Sequence, residues 1–158
     1  VSEGPQCDLR DPLNQQIYGE VMIPVGDDIV NGLADFLAPH PIDLARCDGG
    51  SGIMRRSLLT TPELLLVVLQ RGDIGGKKNS NNMTFPLNMN FGDASYKLIA
   101  IVNHQGTRLN SGHCFADILH DGAWFRANDE HVSPIADPIE PSSLAYLLLY
   151  QRYNFDVV

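Results

Sequence analysis

Apolar and polar positions along the chain fall into short runs separated by Gly, Pro, Asn and Asp. Residues 17–25 (IYGEVMIPV) have strand composition and end near Pro24. Asp27-Asp28 then stands at an N-cap place. Ile29, Val30, Leu33, Phe36 and Leu37 follow at helical spacing, which predicts a short amphipathic helix over 28–37, closed by Pro39 and Pro41. Residues 43–52 carry a Gly-rich turn and no clear element. Leu64–Gln70 (LLLVVLQ) is a continuous apolar run between Pro62 and Gly72, and its β-branched pair and length favour a buried strand. Residues 75–82 read as a polar loop, 83–89 as a short extended stretch, 96–104 as a strand and 105–112 as a polar loop with two glycines. The break Glu140-Pro141-Ser142-Ser143 precedes 145–152 (AYLLLYQR), a last strand. Residues 1–16, with Gly4-Pro5 and Asp11-Pro12, read as loop.

The strongest local signal lies at 111–129 (SGHCFADILHDGAWFRAND). Phe115, Asp117 and Leu119 alternate with Ala116, Ile118 and His120, Asp121-Gly122 makes a turn, and Trp124-Phe125-Arg126-Ala127 returns towards Asn128-Asp129. Asp-Gly between alternating runs predicts a β-hairpin. Its strands run antiparallel, so His113 and Asn128-Asp129 finish at the same edge. A carboxamide or carboxylate within reach of an imidazole is the orienting half of a Cys-His-Asn or Cys-His-Asp site. The competing reading of the same residues is a surface histidine beside a polar turn.

Composition narrows the field. A chain of 158 residues with 44% hydrophobic content suits one domain, or part of a larger one, with a real core. A net charge of −8 argues against nucleic acid and against an anionic membrane surface as partners. No apolar run approaches the roughly 20 residues that span a bilayer. Cys7, Cys47 and Cys114 are odd in number, form no disulfide framework and fit a reducing compartment, cytoplasmic or nuclear. The chain begins with Val1 rather than Met, as expected of a processed product or a piece of a longer polypeptide.

Further motifs follow one another in order. Pro62-Glu63-Leu64-Leu65-Leu66-Val67-Val68-Leu69-Gln70-Arg71-Gly72 pairs a proline with a buried strand. Lys77-Lys78 and Thr84-Phe85-Pro86-Leu87 come next, then Tyr96-Lys97-Leu98-Ile99-Ala100-Ile101-Val102 with His104-Gln105-Gly106. Gly112-His113-Cys114 is followed by Trp124, by Ala127-Asn128-Asp129 with Val132, and by Ala145-Tyr146-Leu147-Leu148-Leu149-Tyr150. At this order and spacing, residues 62–152 resemble the C-terminal half of a ubiquitin-specific protease domain. These are papain-like cysteine peptidases that cleave after the C-terminal glycine of ubiquitin.

The resemblance implies an α+β fold: the palm and fingers half of such a protease, mainly antiparallel sheet with few short helices. Residues 1–60 would be a degenerate fingers-like segment and 61–158 a palm-like segment with the histidine box, together one partial domain. His113 would be the general base, Asn128 the orienting amide and Asp129 the neighbouring acid. Neutral imidazole titrates where it can take and return a thiol proton. His104, Gly106, Gly112 and Cys114 would belong to the loop over the ubiquitin tail, where glycine permits close backbone approach. The implied partners are ubiquitin or a ubiquitin-like protein and a further protein segment or subunit completing the domain. No cofactor is implied. The function is thiol-dependent deubiquitination once a cysteine-bearing half is present, or else an inactive scaffold.

The departures are specific. The Asn-x-Cys-(Tyr/Phe)-x-Asn box that supplies the family's nucleophile is absent, which leaves Cys7 and Cys114 as the thiols to consider. Cys114 adjoins His113 and should point to the other face of its strand. Structural zinc wants two Cys-x-x-Cys pairs. Cys7-Asp8-Leu9-Arg10 and Cys47-Asp48-Gly49-Gly50 have each lost a thiolate, so no metal is expected. Cys114 replaces a tyrosine that grips the tail. Gly72 replaces a core phenylalanine and leaves volume to fill.

Overall fold

The computed structural model describes residues 20–44, 50–58, 60–138 and 141–153. In chain order the elements are β1 (Val21–Pro24), α1 (Ile29–Leu37), β2 (His40–Leu44), β3 (Gly50–Met54), β4 (Leu64–Gln70), β5 (Asn88–Phe91), β6 (Ala94–Arg108), β7 (Ser111–His120), β8 (Ala123–Asn128), β9 (His131–Ile135) and β10 (Ala145–Tyr153). An eight-stranded sheet runs β1-β4-β10-β6-β7-β8-β9, with β5 also paired to β6, and β2–β3 form a separate two-stranded ribbon. β1 pairs with β4 in parallel; the other strand pairs are antiparallel. The fold is thus the expected one, an antiparallel-rich sheet with one short helix among the described residues.

The core follows from the apolar runs. Leu65, Val67 and Leu69 of β4, Leu148 and Tyr150 of β10, and Tyr96, Leu98 and Ile101 of β6 are buried together. Each such side chain contributes about 1.5–3 kcal/mol on burial. Helix α1 closes part of this core with Ile29 and Leu33. The Asp28 carboxylate caps it, accepting from the Asn31 N–H at 2.8 Å. A Cβ at Gly32 would lie 2.8 Å from Ile23 Cδ1, so helix and β1 meet closely there. β1 and α1 precede residue 60 yet share sheet and core with β4.

Residues 105–112 were expected to be loop, and here the structure differs. β6 continues to Arg108, the chain turns at Leu109-Asn110, and β7 starts at Ser111. A register shift between Gln105 and Arg108 absorbs Gly106 and Thr107. Backbone pairing with the 71–79 segment supports the extension: Lys78 N–H donates to Thr107 C=O at 3.1 Å and Leu109 N–H to Gly76 C=O at 3.2 Å. Ribbon β2–β3 and strand β9 are short and the hydrophobic pattern does not mark them; β5 overlaps the expected extended stretch 83–89 only at Asn88 and Met89, and buries Met89 and Phe91. Cys7, Cys47 and residues 17–19 of the first expected strand lie outside the described residues.

Candidate active site

The β7–β8 hairpin builds the site. Asp121 and Gly122 adopt φ of 48° and 81°, left-handed at both turn positions, the geometry of a type I′ turn. Asp117 and Arg126 are cross-strand partners. His113 lies four residues before Asp117, and Asn128 two after Arg126, so strand alternation puts all four side chains on one face. At the open end of the hairpin His113 Nε2 is hydrogen-bonded to Asn128 Oδ1. A carboxamide oxygen only accepts, so Nε2 carries the ring proton and Nδ1 is left as the basic nitrogen. Asp129, at φ 51°, places Oδ2 4.0 Å from the same Nε2, at the limit of an ion pair. Of the expected trio, Asn128 holds the imidazole and Asp129 stands beside it. The His113 side chain remains 45% exposed.

His104, Gly106, Gly112 and Cys114 also come together. His104 is buried, and a Cβ at Gly112 would fall 2.6 Å from its Nε2 and 2.4 Å from the Gln105 carbonyl oxygen. Gly112 has φ +148°, so both space and backbone conformation demand glycine there. A Cβ at Gly106 would lie 2.5 Å from the Ser111 carbonyl oxygen and 3.2 Å from His104 Cε1. Cys114 is the cross-strand partner of His104 and is an exposed free thiol. It stands on the face opposite His113, so among the described residues no thiol shares the imidazole's face.

Two buried cations support this edge, and sequence reading assigned a role to neither. The Arg71 guanidinium donates to four backbone carbonyls: Ala145 at 2.5 Å, Asn79 at 3.0 Å, Asn81 at 2.9 Å and Ser142 at 3.0 Å. Burial lowers its pKa. Lys78 donates its ammonium to the His104 carbonyl oxygen. Burial, and then the Arg71 charge, push the Lys78 amine below its ordinary pKa, while Cys114 acts in the other direction. The carbonyls come from segments far apart in the chain, so no local motif could have marked either cation. The gap expected at Gly72 is occupied: a Cβ there would lie 2.2 Å from Leu109 Cδ1.

The open end of the β7–β8 hairpin thus carries a histidine hydrogen-bonded to an asparagine, next to two glycines packed closely on His104. The sequence profile described as ubiquitin carboxyl-terminal hydrolase matches residues 5–150. The chain belongs to that family and carries a deubiquitinase-family domain. It is 29% identical over 147 residues to ubiquitin carboxyl-terminal hydrolase 10 of Saccharomyces cerevisiae, covering 78% of this chain and 19% of that protein. It is 41% identical over 63 residues to ubiquitin carboxyl-terminal hydrolase 14 of Arabidopsis thaliana, covering 40% of this chain and 8% of that protein. The Ubp8–Sgf11–Sgf73–Sus1 SAGA DUB module contains a chain that superposes with a TM-score of 0.67 at 26% identity, covering 87% of this chain and 34% of that one. The same module bound to ubiquitin aldehyde gives a TM-score of 0.67 at 23% identity over 87% of this chain and 36% of that one, a likeness of fold. This chain thus spans about a third of the solved chains that it matches.

Proposed function

We propose that this chain supplies the base and the tail groove of a ubiquitin-specific protease, the nucleophilic thiol coming from a further protein segment. The observation that carries the reading is the hydrogen bond from His113 Nε2 to Asn128 Oδ1, made at the same edge as Gly106 and Gly112. In the reaction Nδ1 of His113 takes the proton of the thiol, and the thiolate attacks the carbonyl carbon of the last glycine of ubiquitin. The imidazolium then protonates the leaving amine, and the resulting thioester is hydrolysed by water deprotonated at the same Nδ1. Asn128 keeps the ring in the productive tautomer throughout. Gly106 and Gly112 lie beside the His113–Asn128 pair, where an extended Gly-Gly tail would pass, while His104 is buried against them and Cys114 stands on the other face. The exposed thiol of Cys114 suits a reducing compartment, cytoplasm or nucleus.

A second reading, a protease-like scaffold or interaction module without peptidase activity inside a larger assembly, is favoured by Cys114. It stands where the resemblance places a tail-gripping tyrosine, on the face away from His113. The two readings separate in the domain assembled with its cysteine-bearing segment, using ubiquitin with a C-terminal electrophile. Loss of a general base costs about 10²–10⁴-fold in rate. His113→Gln is therefore expected to slow labelling by at least about 100-fold while leaving ubiquitin affinity in place. Equal labelling of wild type and variant, or no labelling of the assembled wild type, would sink the enzyme reading.

A further inference from the structure

The face that carries His113 and Asn128 holds a second polar constellation directly below them. Asp117 of β7 is buried, and its carboxylate joins three strands. It accepts from Asn103 Nδ2 on β6 at 2.9 Å. It also accepts from Arg126 on β8 through two bonds, Nε at 2.7 Å and Nη2 at 3.0 Å. The same guanidinium lies over the Phe115 ring, 4.5 Å from its centroid. Phe115 is two residues from His113 along β7, and Arg126 two from Asn128 along β8. Asn103 and Asp117 are buried, and Arg126 covers them from the solvent side. A fork that must meet a carboxylate edge-on while stacking on a ring tolerates little displacement. A one-residue slip of β7 against β8 would send every side chain of one strand to the other face.

We propose that Asp117 and Arg126 are positioning residues, which lock β7 to β8 in the register and spacing that bring His113 onto Asn128. The proposal deepens the reading of that pair as the proton-handling part of the site and rests on it for its significance. Hydrogen bonding to Asp117 raises the Arg126 pKa, with desolvation opposing it and the Asp117 charge adding to it, so the guanidinium stays charged.

The test uses the nitrogen-15-labelled protein and the side-chain amide cross-peak of Asn128. Asn128 accepts from the imidazole, so its amide signal is expected to move with His113 protonation in the wild type. In Arg126→Met the movement is expected to vanish, with backbone changes confined to β7 and β8 and the rest of the backbone spectrum native. Asp117→Asn, which keeps the volume of the buried group, is expected to behave alike and serves should Arg126→Met fail to fold. Tyr150→Phe removes a hydrogen bond to the Pro86 carbonyl elsewhere in the core, and is expected to lower stability without touching the movement. Retention of full movement in either site variant overturns the proposal, as does its loss in Tyr150→Phe. Ubiquitin binding is scored separately. If the variants lose the movement although wild type binds no ubiquitin, the positioning stands and the functional reading falls.

Discussion

Gly112 is where a single atom decides most. An alanine Cβ would sit 2.4 Å from the Gln105 carbonyl oxygen and 2.6 Å from His104 Nε2, on a backbone at φ +148°. Backbone strain of this kind costs about 1–3 kcal/mol before any clash is counted. Gly112→Ala is therefore expected to destabilise by about 2 kcal/mol or more in urea unfolding. Gly26→Ala, with nothing within 4 Å of its new Cβ, is expected to stay within about 0.5 kcal/mol of wild type. Equal losses would contradict the steric account. At this scale the sequence was legible where chemistry is local. His113, Asn128 and Asp129 could be placed because Asp-Gly forces a hairpin and the hairpin forces their ends together. Lys78 and Arg71 could not, since their partners are main-chain oxygens and any residue offers one.

Among the elements, strands with long apolar runs declared themselves: β4 and β10 lie where the runs predict. The end of β6 did not, because the polar stretch 105–112 with its two glycines has loop composition, and the structure accommodates Gly106 in a bulge instead. β6 is also tied to the segment before β4, as the Tyr96 hydroxyl donates to the Pro62 carbonyl at 2.6 Å. Burial is the largest cause holding the Tyr96 pKa above its ordinary value near 10; Asp93 adds to it and Arg152 opposes. The folded chain thus keeps this proton at pH values where the unfolded chain has lost it. Its contribution is intact below the ordinary pKa and disappears as pH rises through the folded value. Urea unfolding between about pH 9 and about pH 11 is expected to show stability falling less steeply in Tyr96→Phe than in wild type. Parallel slopes would contradict this.

For the molecule as a whole, the sheet divides its labour by face. One face of β7–β8 presents His113 and Asn128 above the Asp117–Arg126 pair. The other presents Cys114 opposite His104, and further along it Ile118 and Val132 stand exposed, at 41% and 68%. The fold class was readable from ordered motifs rather than from periodicity alone. The source of the thiol was not, because catalysis of this type joins groups from distant parts of a chain. The most direct test of the proposed site is the footprint of ubiquitin on the protein in an amide spectrum. Intact ubiquitin is predicted to shift Gly106, Gly112, His113 and Asn128, and ubiquitin lacking its last two glycines to leave them unmoved. A footprint on α1 and β1 instead, or one indifferent to the tail, would contradict the account.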